Sequence, residues 1–84
     1  MANRTVVIRV AGGAHARPVA ELVRLAMAHD GAVELTTSTG RRVDLGSVLA
    51  VMDLALLAGD EVELSADGTD PEAVLDALER VLAG

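Results

Sequence analysis

Hydrophobic residues recur along this chain of 84 residues with two different spacings. Alternating apolar and polar residues are typical of a half-buried strand, and they predict strands over 5–10, 32–37, 41–44 and 61–66. Apolar residues three and four positions apart predict helices over 16–28 and 48–54, and a third helix that begins at Pro71. The predicted order is βαββαβα, which favours an α+β fold with a four-stranded antiparallel sheet and three helices on one face.

The length is enough for one small domain, which we expect to span residues 1–84. Phe, Tyr and Trp are absent from the sequence. Because the core must then consist of smaller side chains, we expect a free energy of unfolding of about 5 kcal/mol. The apolar faces of the predicted elements place these residues inside: Val6, Ile8 and Val10; Val19, Leu22, Val23 and Ala26; Val33 and Leu35; Val62, Leu64 and Ala66; and Val74, Ala77, Leu78, Val81 and Leu82.

Short-range signals predict how the helices begin and end. Gly31 is expected to terminate the first helix in the left-handed conformation, and His29 is expected to interact with the C-terminal end of that helix. Ser47 is a candidate N-cap for the second helix, because its hydroxyl can accept a hydrogen bond from a free N–H. Asp70 is the candidate N-cap of the third helix, and Pro71 suits its first position.

Charged residues four positions apart on a helix can form surface ion pairs. Asp76 and Arg80 can pair in this way on the third helix, which would stabilise it by a few tenths of a kcal/mol, roughly. Arg17 has two candidate roles, either a surface pair with Glu21 of little energetic weight or a charge-assisted contact to a bound anion.

The net charge of the chain is −6, from 13 acidic residues and seven arginines. An acidic chain without aromatic rings is poorly suited to bind nucleic acid, because phosphate repels it and no ring stacks on the bases. Arg17, Arg24, Arg41 and Arg42 all lie in the first half of the chain. They predict either a positive patch for an acidic partner surface or ordinary solvated charge.

Cysteine is absent, so disulfides and thiolate metal sites are excluded. No apolar run approaches the roughly 20 residues that a membrane-spanning helix needs. The N-terminus enters a strand pattern directly, without the layout of a signal peptide. We therefore expect a cytoplasmic protein with no membrane insertion.

The strongest candidate chemistry lies in the stretch Gly12-Gly13-Ala14-His15-Ala16-Arg17-Pro18, which connects the first predicted strand to the first predicted helix. Proline is tolerated in the first turn of a helix, so His15 is expected at the start of that helix. The free N–H groups and the positive dipole end of a helix favour bound anions. An imidazole nucleophile beside the guanidinium of Arg17 is therefore a candidate site for holding a phosphoryl group.

This stretch resembles the histidine site of the HPr family, the phosphocarrier proteins of the phosphoenolpyruvate:sugar phosphotransferase system. The family pattern is Gly-Leu-His-x-Arg-Pro, and this chain reads Gly13-Ala14-His15-Ala16-Arg17-Pro18. Ala14 departs from the usual leucine. A second match runs from Val43 to Met52 and includes Ser47. The resemblance implies the same βαββαβα order, arranged as an open-faced β-sandwich.

The resemblance implies a carrier rather than an enzyme with turnover, and it implies no cofactor and no metal. His15 would accept a phosphoryl group from phosphorylated enzyme I and pass it to enzyme IIA for sugar uptake. Arg17 would contact the phosphoryl group, and the backbone of Ala16 and Arg17 would bind phosphate. A monomer is expected. The residues implied to contact partners are Ala20, Arg24, Met27, Val48, Leu49 and Met52.

Ser47 corresponds to the regulatory serine of many HPr proteins. The resemblance therefore also allows phosphorylation of Ser47 by an HPr kinase/phosphorylase and binding to a transcriptional regulator. The alternative interpretation as a plain N-cap serine stays open.

Other functions are consistent with parts of the sequence. The chain could be a regulatory HPr-like binding module, or it could serve a nitrogen-related or dihydroxyacetone branch of the phosphotransferase system. Ferredoxin-like domains share most of the element order, which would allow an acyl phosphate hydrolase. Such a hydrolase would want a water-orienting amide, yet Asn3 is the sole asparagine and glutamine is absent. A metal site built on His15 and His29 is disfavoured, because the carboxylates are scattered.

Overall fold

The computed structural model describes residues 1–13 and 16–84, and these contain four strands and three helices. The predicted order βαββαβα is confirmed. The first strand begins three residues earlier than predicted and ends at Val7 rather than Val10. The elements are β1 (Ala2–Val7), α1 (Ala16–Ala28), β2 (Val33–Thr37), β3 (Arg42–Asp44), α2 (Val48–Asp53), β4 (Glu61–Ala66) and α3 (Pro71–Ala83).

The four strands form one antiparallel sheet in the order β1-β4-β2-β3. In the register of this sheet, Leu64 of β4 lies between Arg4 of β1 and Leu35 of β2. Val7 pairs with Glu61, so the chain leaves β1 at the same end of the sheet where β4 begins. The segment that leads to α1 therefore starts at this end.

One face of the sheet is covered by helices and the other is open. On β4, Val62, Leu64 and Ala66 are buried as predicted, whereas Glu61 and Glu63 on the opposite face are exposed. Ser65, the next residue on the face of the glutamates, is buried. On the covered side, α3 packs on β1 and β4, α2 packs on β3, and α1 contacts both other helices. The predicted α+β fold with an open-faced sheet is confirmed.

The core consists of aliphatic side chains from every element except β3, which contributes only the half-buried Val43. Most of the predicted core residues are buried, but Val10 and Ala77 are only partly buried. On α3, Leu75 is fully buried although the predicted face did not include it, and Val81 lies at the edge of the core. The buried face of α3 is rotated because this helix packs against both the sheet and α1.

The ends of the helices follow the predictions only in part. Ser47 is the N-cap of α2, and its Oγ accepts a hydrogen bond from the N–H of Ala50 at 3.2 Å. Pro71 opens α3 as predicted. The side chain of Asp70 makes no capping hydrogen bond, because its φ of 51° and ψ of 59° are left-handed rather than the extended values that capping requires.

The chain after α1 is held by the loop between β4 and α3 rather than by the end of α1 itself. The imidazole Nε2 of His29 contacts the carbonyl oxygen of Asp67, and Asp30 accepts a hydrogen bond from the N–H of Thr69 at 2.9 Å. Gly31 does not have a positive φ, so the predicted left-handed terminator is wrong. A Cβ on Gly31 would lie 2.5 Å from the carbonyl carbon of Asp67, which explains the glycine by close approach instead.

Substitutions of Gly31 distinguish these two reasons for glycine. We expect Gly31→Ala and Gly31→Asn each to lower the free energy of unfolding by about 1–3 kcal/mol, because a side chain would collide with backbone. A left-handed terminator would instead tolerate asparagine better than alanine. Urea unfolding followed by circular dichroism measures both variants. Wild-type stability in Gly31→Asn would contradict the close-approach explanation.

The contact between Asp30 and Thr69 makes part of the stability dependent on pH. Hydrogen bonds from the backbone and side chain of Thr69 hold the pKa of the Asp30 carboxyl below its usual range. A carboxyl group whose pKa is lower in the folded than in the unfolded protein stabilises the fold. This stabilisation is complete above the pKa of the unfolded state, which is near 4, and it is lost as the pH falls through the pKa of the folded state. We expect wild type to be more stable than Asp30→Asn at pH 7, with the difference narrowing as the pH falls below about 4. A difference in melting temperature that does not vary with pH would refute this.

The ion pairs on the helices differ from those predicted by spacing. Arg4 lies at an inward position of β1 and contacts three carboxylates of α3, those of Glu72, Asp76 and Glu79. Asp76 therefore pairs with Arg4 rather than with Arg80. The predicted pair on α3 fails because a strand residue distant in sequence supplies the cation.

Candidate functional site

The candidate site lies where the chain passes from β1 into α1. The predicted chemistry depends on His15. Both His15 and Ala14 lie outside the described residues. The structure describes both flanks, Gly13 on one side and Ala16 on the other. The elements that hold these two flanks therefore define the surroundings of the site.

The start of α1 supplies the backbone groups that the sequence predicts for binding phosphate. This helix begins at Ala16, so the N–H groups of Ala16 and Arg17 belong to the first turn, where no intrahelical acceptor exists. Both residues are exposed, and Pro18 is half-buried behind them. The helix is amphipathic, with Val19 and Leu22 fully buried, so packing holds its first turn in place. An anion at this turn would meet free donors and the positive end of the helix dipole.

The two arginines on the exposed stripe of α1 have different surroundings. Arg24 donates to the carboxylate of Glu21, with an Nη2–Oε1 distance of 2.6 Å, and this hydrogen bond lowers the pKa of Glu21. Glu21 thus pairs with Arg24, three residues on, and not with Arg17, the alternative partner that the spacing of four residues allowed. Arg17 is exposed at the first turn of the helix. Its guanidinium is therefore close in sequence to His15 without being bound to Glu21.

Exposed apolar side chains belong to α1 and α2, two helices that are in contact. Leu49 and Met27 are 83% and 73% exposed, and Met52 and Val48 are 42% and 46% exposed. Ala20 is also exposed, and α1 and α2 are in contact. The structure thus places the apolar partner-contact residues predicted from the sequence on the surfaces of two neighbouring helices.

Leu57 and Met1 are exposed apolar residues outside the predicted set of partner contacts. Leu57 is 59% exposed and lies in the turn before β4, where it follows neither the helix nor the strand spacing. Hydrophobic periodicity carries no signal at such a position, because a turn has no fixed inward face. Its position on the surface is therefore known only from its exposure in the folded protein.

Two further arginines of the predicted positive patch are paired with carboxylates. Arg41 donates to Asp53 at 3.1 Å, and Arg42 lies 3.7 Å from a carboxylate oxygen of Glu34. The positive charge available to an acidic partner is thus smaller at these two positions than the sequence suggests.

A shallow recess of about 220 Å³ lies near Arg41, between the β2–β3 turn and the residues before β4. The recess is lined by Thr37, Ser38, Thr39, Arg41, Leu54, Leu56, Asp60 and Glu61.

Neither a metal centre nor a membrane segment is found in the described part of the chain. Within residues 1–13 and 16–84, no three histidine or carboxylate side chains come close enough together to hold a metal ion. None of the helices described there is long and apolar enough to cross a membrane.

Comparisons with known proteins match this arrangement over nearly the whole chain. A family model described as "PTS HPr component phosphorylation site" matches residues 2–84. Phosphocarrier protein HPr of Streptomyces coelicolor is 37% identical over 83 residues, covering 99% of this chain and 89% of that protein. Phosphocarrier protein HPr of Treponema pallidum is 38% identical over 81 residues, covering 96% and 91%. The crystal structure of HPr-C-His from Thermoanaerobacter tengcongensis superposes with a TM-score of 0.88 at 30% identity, covering 98% of this chain and 91% of that one.

Proposed function

The chain belongs to the HPr family of phosphocarrier proteins, and from this membership we propose that His15 carries a phosphoryl group from enzyme I to enzyme IIA in the cytoplasm. The observation that carries the proposal is the match of residues 2–84 to the HPr phosphorylation-site model. The motif that runs from Gly13 to Pro18 places the histidine directly before α1. The carried group would serve sugar uptake.

The proposed step is an in-line transfer between two proteins. A ring nitrogen of His15 attacks the phosphorus of phosphorylated enzyme I, forming a nitrogen–phosphorus bond. The bond from phosphorus to enzyme I breaks, and its electron pair stays with enzyme I. Neutral imidazole is available near physiological pH as the nucleophile, and such transfers need mainly positioning and charge compensation. A second transfer of the same kind delivers the group to enzyme IIA and regenerates the histidine.

The first turn of α1 supports this chemistry because its free N–H donors and the positive end of the helix dipole favour negative charge. The N–H groups of Ala16 and Arg17 can donate to phosphoryl oxygens, and the Arg17 guanidinium can add a charge-assisted hydrogen bond. Ala20, Met27 and Leu49 offer apolar contacts to the partners, and Val48 and Met52 extend them on α2. Arg24 would add a polar contact to a partner. Its guanidinium also donates to the carboxylate of Glu21, so the same group would bind both.

The proposal is tested by incubating the protein with phosphoenolpyruvate and a competent enzyme I. We expect a single acid-labile phosphoryl group, detected by intact mass at neutral pH and mapped to His15 rather than His29 by fragmentation. Transfer to enzyme IIA should then remove it. An enzyme I that phosphorylates another HPr but leaves this chain unmodified would overturn the proposal.

We also propose that Ser47 is a regulatory phosphorylation site. An HPr kinase/phosphorylase would phosphorylate it, and a transcriptional regulator would bind the phosphorylated protein. Ser47 caps the first turn of α2, so a phosphate there would suit the helix dipole. It would also place negative charge next to the exposed Val48 and Leu49, on the surface proposed for enzyme I.

A pair of substitutions separates the charge of a modified Ser47 from its capping role. Asp and Asn are both good N-caps, but only Asp adds charge. We expect Ser47→Asp to slow phosphoryl transfer from enzyme I by about tenfold, the effect of a repulsion near 1.4 kcal/mol. Ser47→Asn should transfer at close to the wild-type rate. Equal rates for the two variants would argue against regulation by charge at this residue.

A further inference from the structure

The turn that runs from Leu56 to Asp60 lies directly against the loop that leads to His15. Gly13 is buried there, with a φ of 75°. A Cβ on Gly13 would lie 2.6 Å from the carbonyl oxygen of Leu56 and 2.8 Å from the Cα of Leu57. These are backbone atoms, so they cannot move aside as a flexible side chain would. The loop and the turn therefore touch backbone to backbone, two residues before His15.

Hydrogen bonds attach this turn to the end of β1. The N–H of Ile8 donates to the carbonyl of Asp60 at 2.8 Å, and the N–H of Gly59 donates to the carbonyl of Ile8 at 2.7 Å. Within the turn, a carboxylate oxygen of Asp60 accepts from the N–H of Leu57 at 2.9 Å. The N–H of Asp60 donates back to the carbonyl of Leu57 at 3.0 Å. Asp60 thus closes the turn on which Gly13 rests.

We propose that the turn from Leu56 to Asp60 sets the position of His15 for phosphoryl transfer, with Gly13 and Asp60 as positioning residues. This inference rests on the proposed function of His15. Only two residues connect Gly13 to Ala16, where α1 begins. Because Val19 and Leu22 anchor α1 in the core, a displacement of Gly13 changes the distance between the two described residues that flank the motif, Gly13 and Ala16. Transfer to a partner is sensitive to displacements of about 1 Å, which can cost a hundredfold in rate.

Two glycine variants test the contact itself. Gly13→Ala introduces a Cβ against backbone, whereas Gly40→Ala introduces one where no atom lies within 4 Å. Both glycines have a positive φ, 75° and 91°, so the backbone strain of alanine is present in both variants. We expect Gly13→Ala to lower kcat/KM for phosphorylation by enzyme I by about tenfold or more at a temperature where it is folded. Gly40→Ala should stay within about twofold of wild type.

Two variants of Asp60 test the closure of the turn. Asp60→Ala removes the acceptor for the N–H of Leu57, and Asp60→Asn keeps an oxygen acceptor while removing the charge. We expect Asp60→Ala to lower the rate and Asp60→Asn to restore most of it. Equal losses in both variants would show that charge, and not the turn, matters at this position.

A readout that does not depend on activity separates this inference from the proposed function. We expect the imidazole proton resonances of His15, recorded by NMR, to shift in Gly13→Ala and Asp60→Ala and to stay unchanged in Gly40→Ala. If wild type is not phosphorylated, the carrier function fails, and the NMR comparison still decides whether the turn positions His15. Unchanged resonances and wild-type kinetics in folded Gly13→Ala would overturn the inference.

Discussion

Replacing His15 by alanine is expected to abolish phosphorylation by enzyme I completely, because the proposed carrier has a single nucleophile. The second histidine, His29, cannot substitute for it. The side chain of His29 is only 8% exposed, and its Nε2 contacts the carbonyl oxygen of Asp67. Intact mass spectrometry at neutral pH measures the loss directly, since the phosphoramidate survives under these conditions.

Three control variants make the His15 experiment specific. His29→Gln should still be phosphorylated to completion, because it leaves the proposed nucleophile in place. Arg17→Ala should slow transfer by about tenfold or more, since it removes a charge-assisted contact to the phosphoryl group. Arg24→Ala should have a smaller effect, because Arg24 is bound to Glu21. A phosphorylated His15→Ala protein would refute the assignment of the nucleophile.

Replacing Leu64 by alanine is expected to leave the protein close to unfolding. Leu64 is fully buried in β4, a central strand, and lies between Arg4 and Leu35 in the sheet. Truncation of a buried leucine costs about 2–5 kcal/mol, from lost burial and from the cavity that remains. Against an expected total of about 5 kcal/mol, this loss removes much of the stability of a domain whose core has no aromatic ring.

Leu49→Ala is the matched control for Leu64→Ala, because the substitution is the same but Leu49 is 83% exposed. We expect it to change the free energy of unfolding by less than about 0.5 kcal/mol. Far-UV circular dichroism in urea is the suitable measurement, since the chain has no tryptophan or tyrosine to report by fluorescence. A cost below about 1 kcal/mol for Leu64→Ala would contradict the placement of this side chain in the core.

The sequence alone was sufficient for the element order and for the start of α1. Strand and helix spacings act within a few residues, so alternation at Val62, Leu64 and Ala66 identified β4 and its buried face without knowledge of any partner strand. The N-cap at Ser47 is likewise a contact to a residue three positions away. The family motif around His15 could also be identified from the sequence, because its residues are contiguous in the chain.

The limits of β1 were predicted less well for a physical reason. Its inward positions include Arg4, a charged residue that hydrophobic periodicity assigns to the surface. Arg4 is accommodated on that face only because α3 brings three carboxylates to it. The pattern therefore began at Thr5, and the first half of the strand was missed.

What the sequence by itself determined are the features that depend on neighbours within one helical turn or one strand. Tertiary structure alone decided that Gly31 is required by the close approach of Asp67, and that Asp76 pairs with Arg4 rather than Arg80. It also decided that the turn before β4 lies under Gly13. In each case the partner is distant along the chain, so its identity depends on how the elements pack.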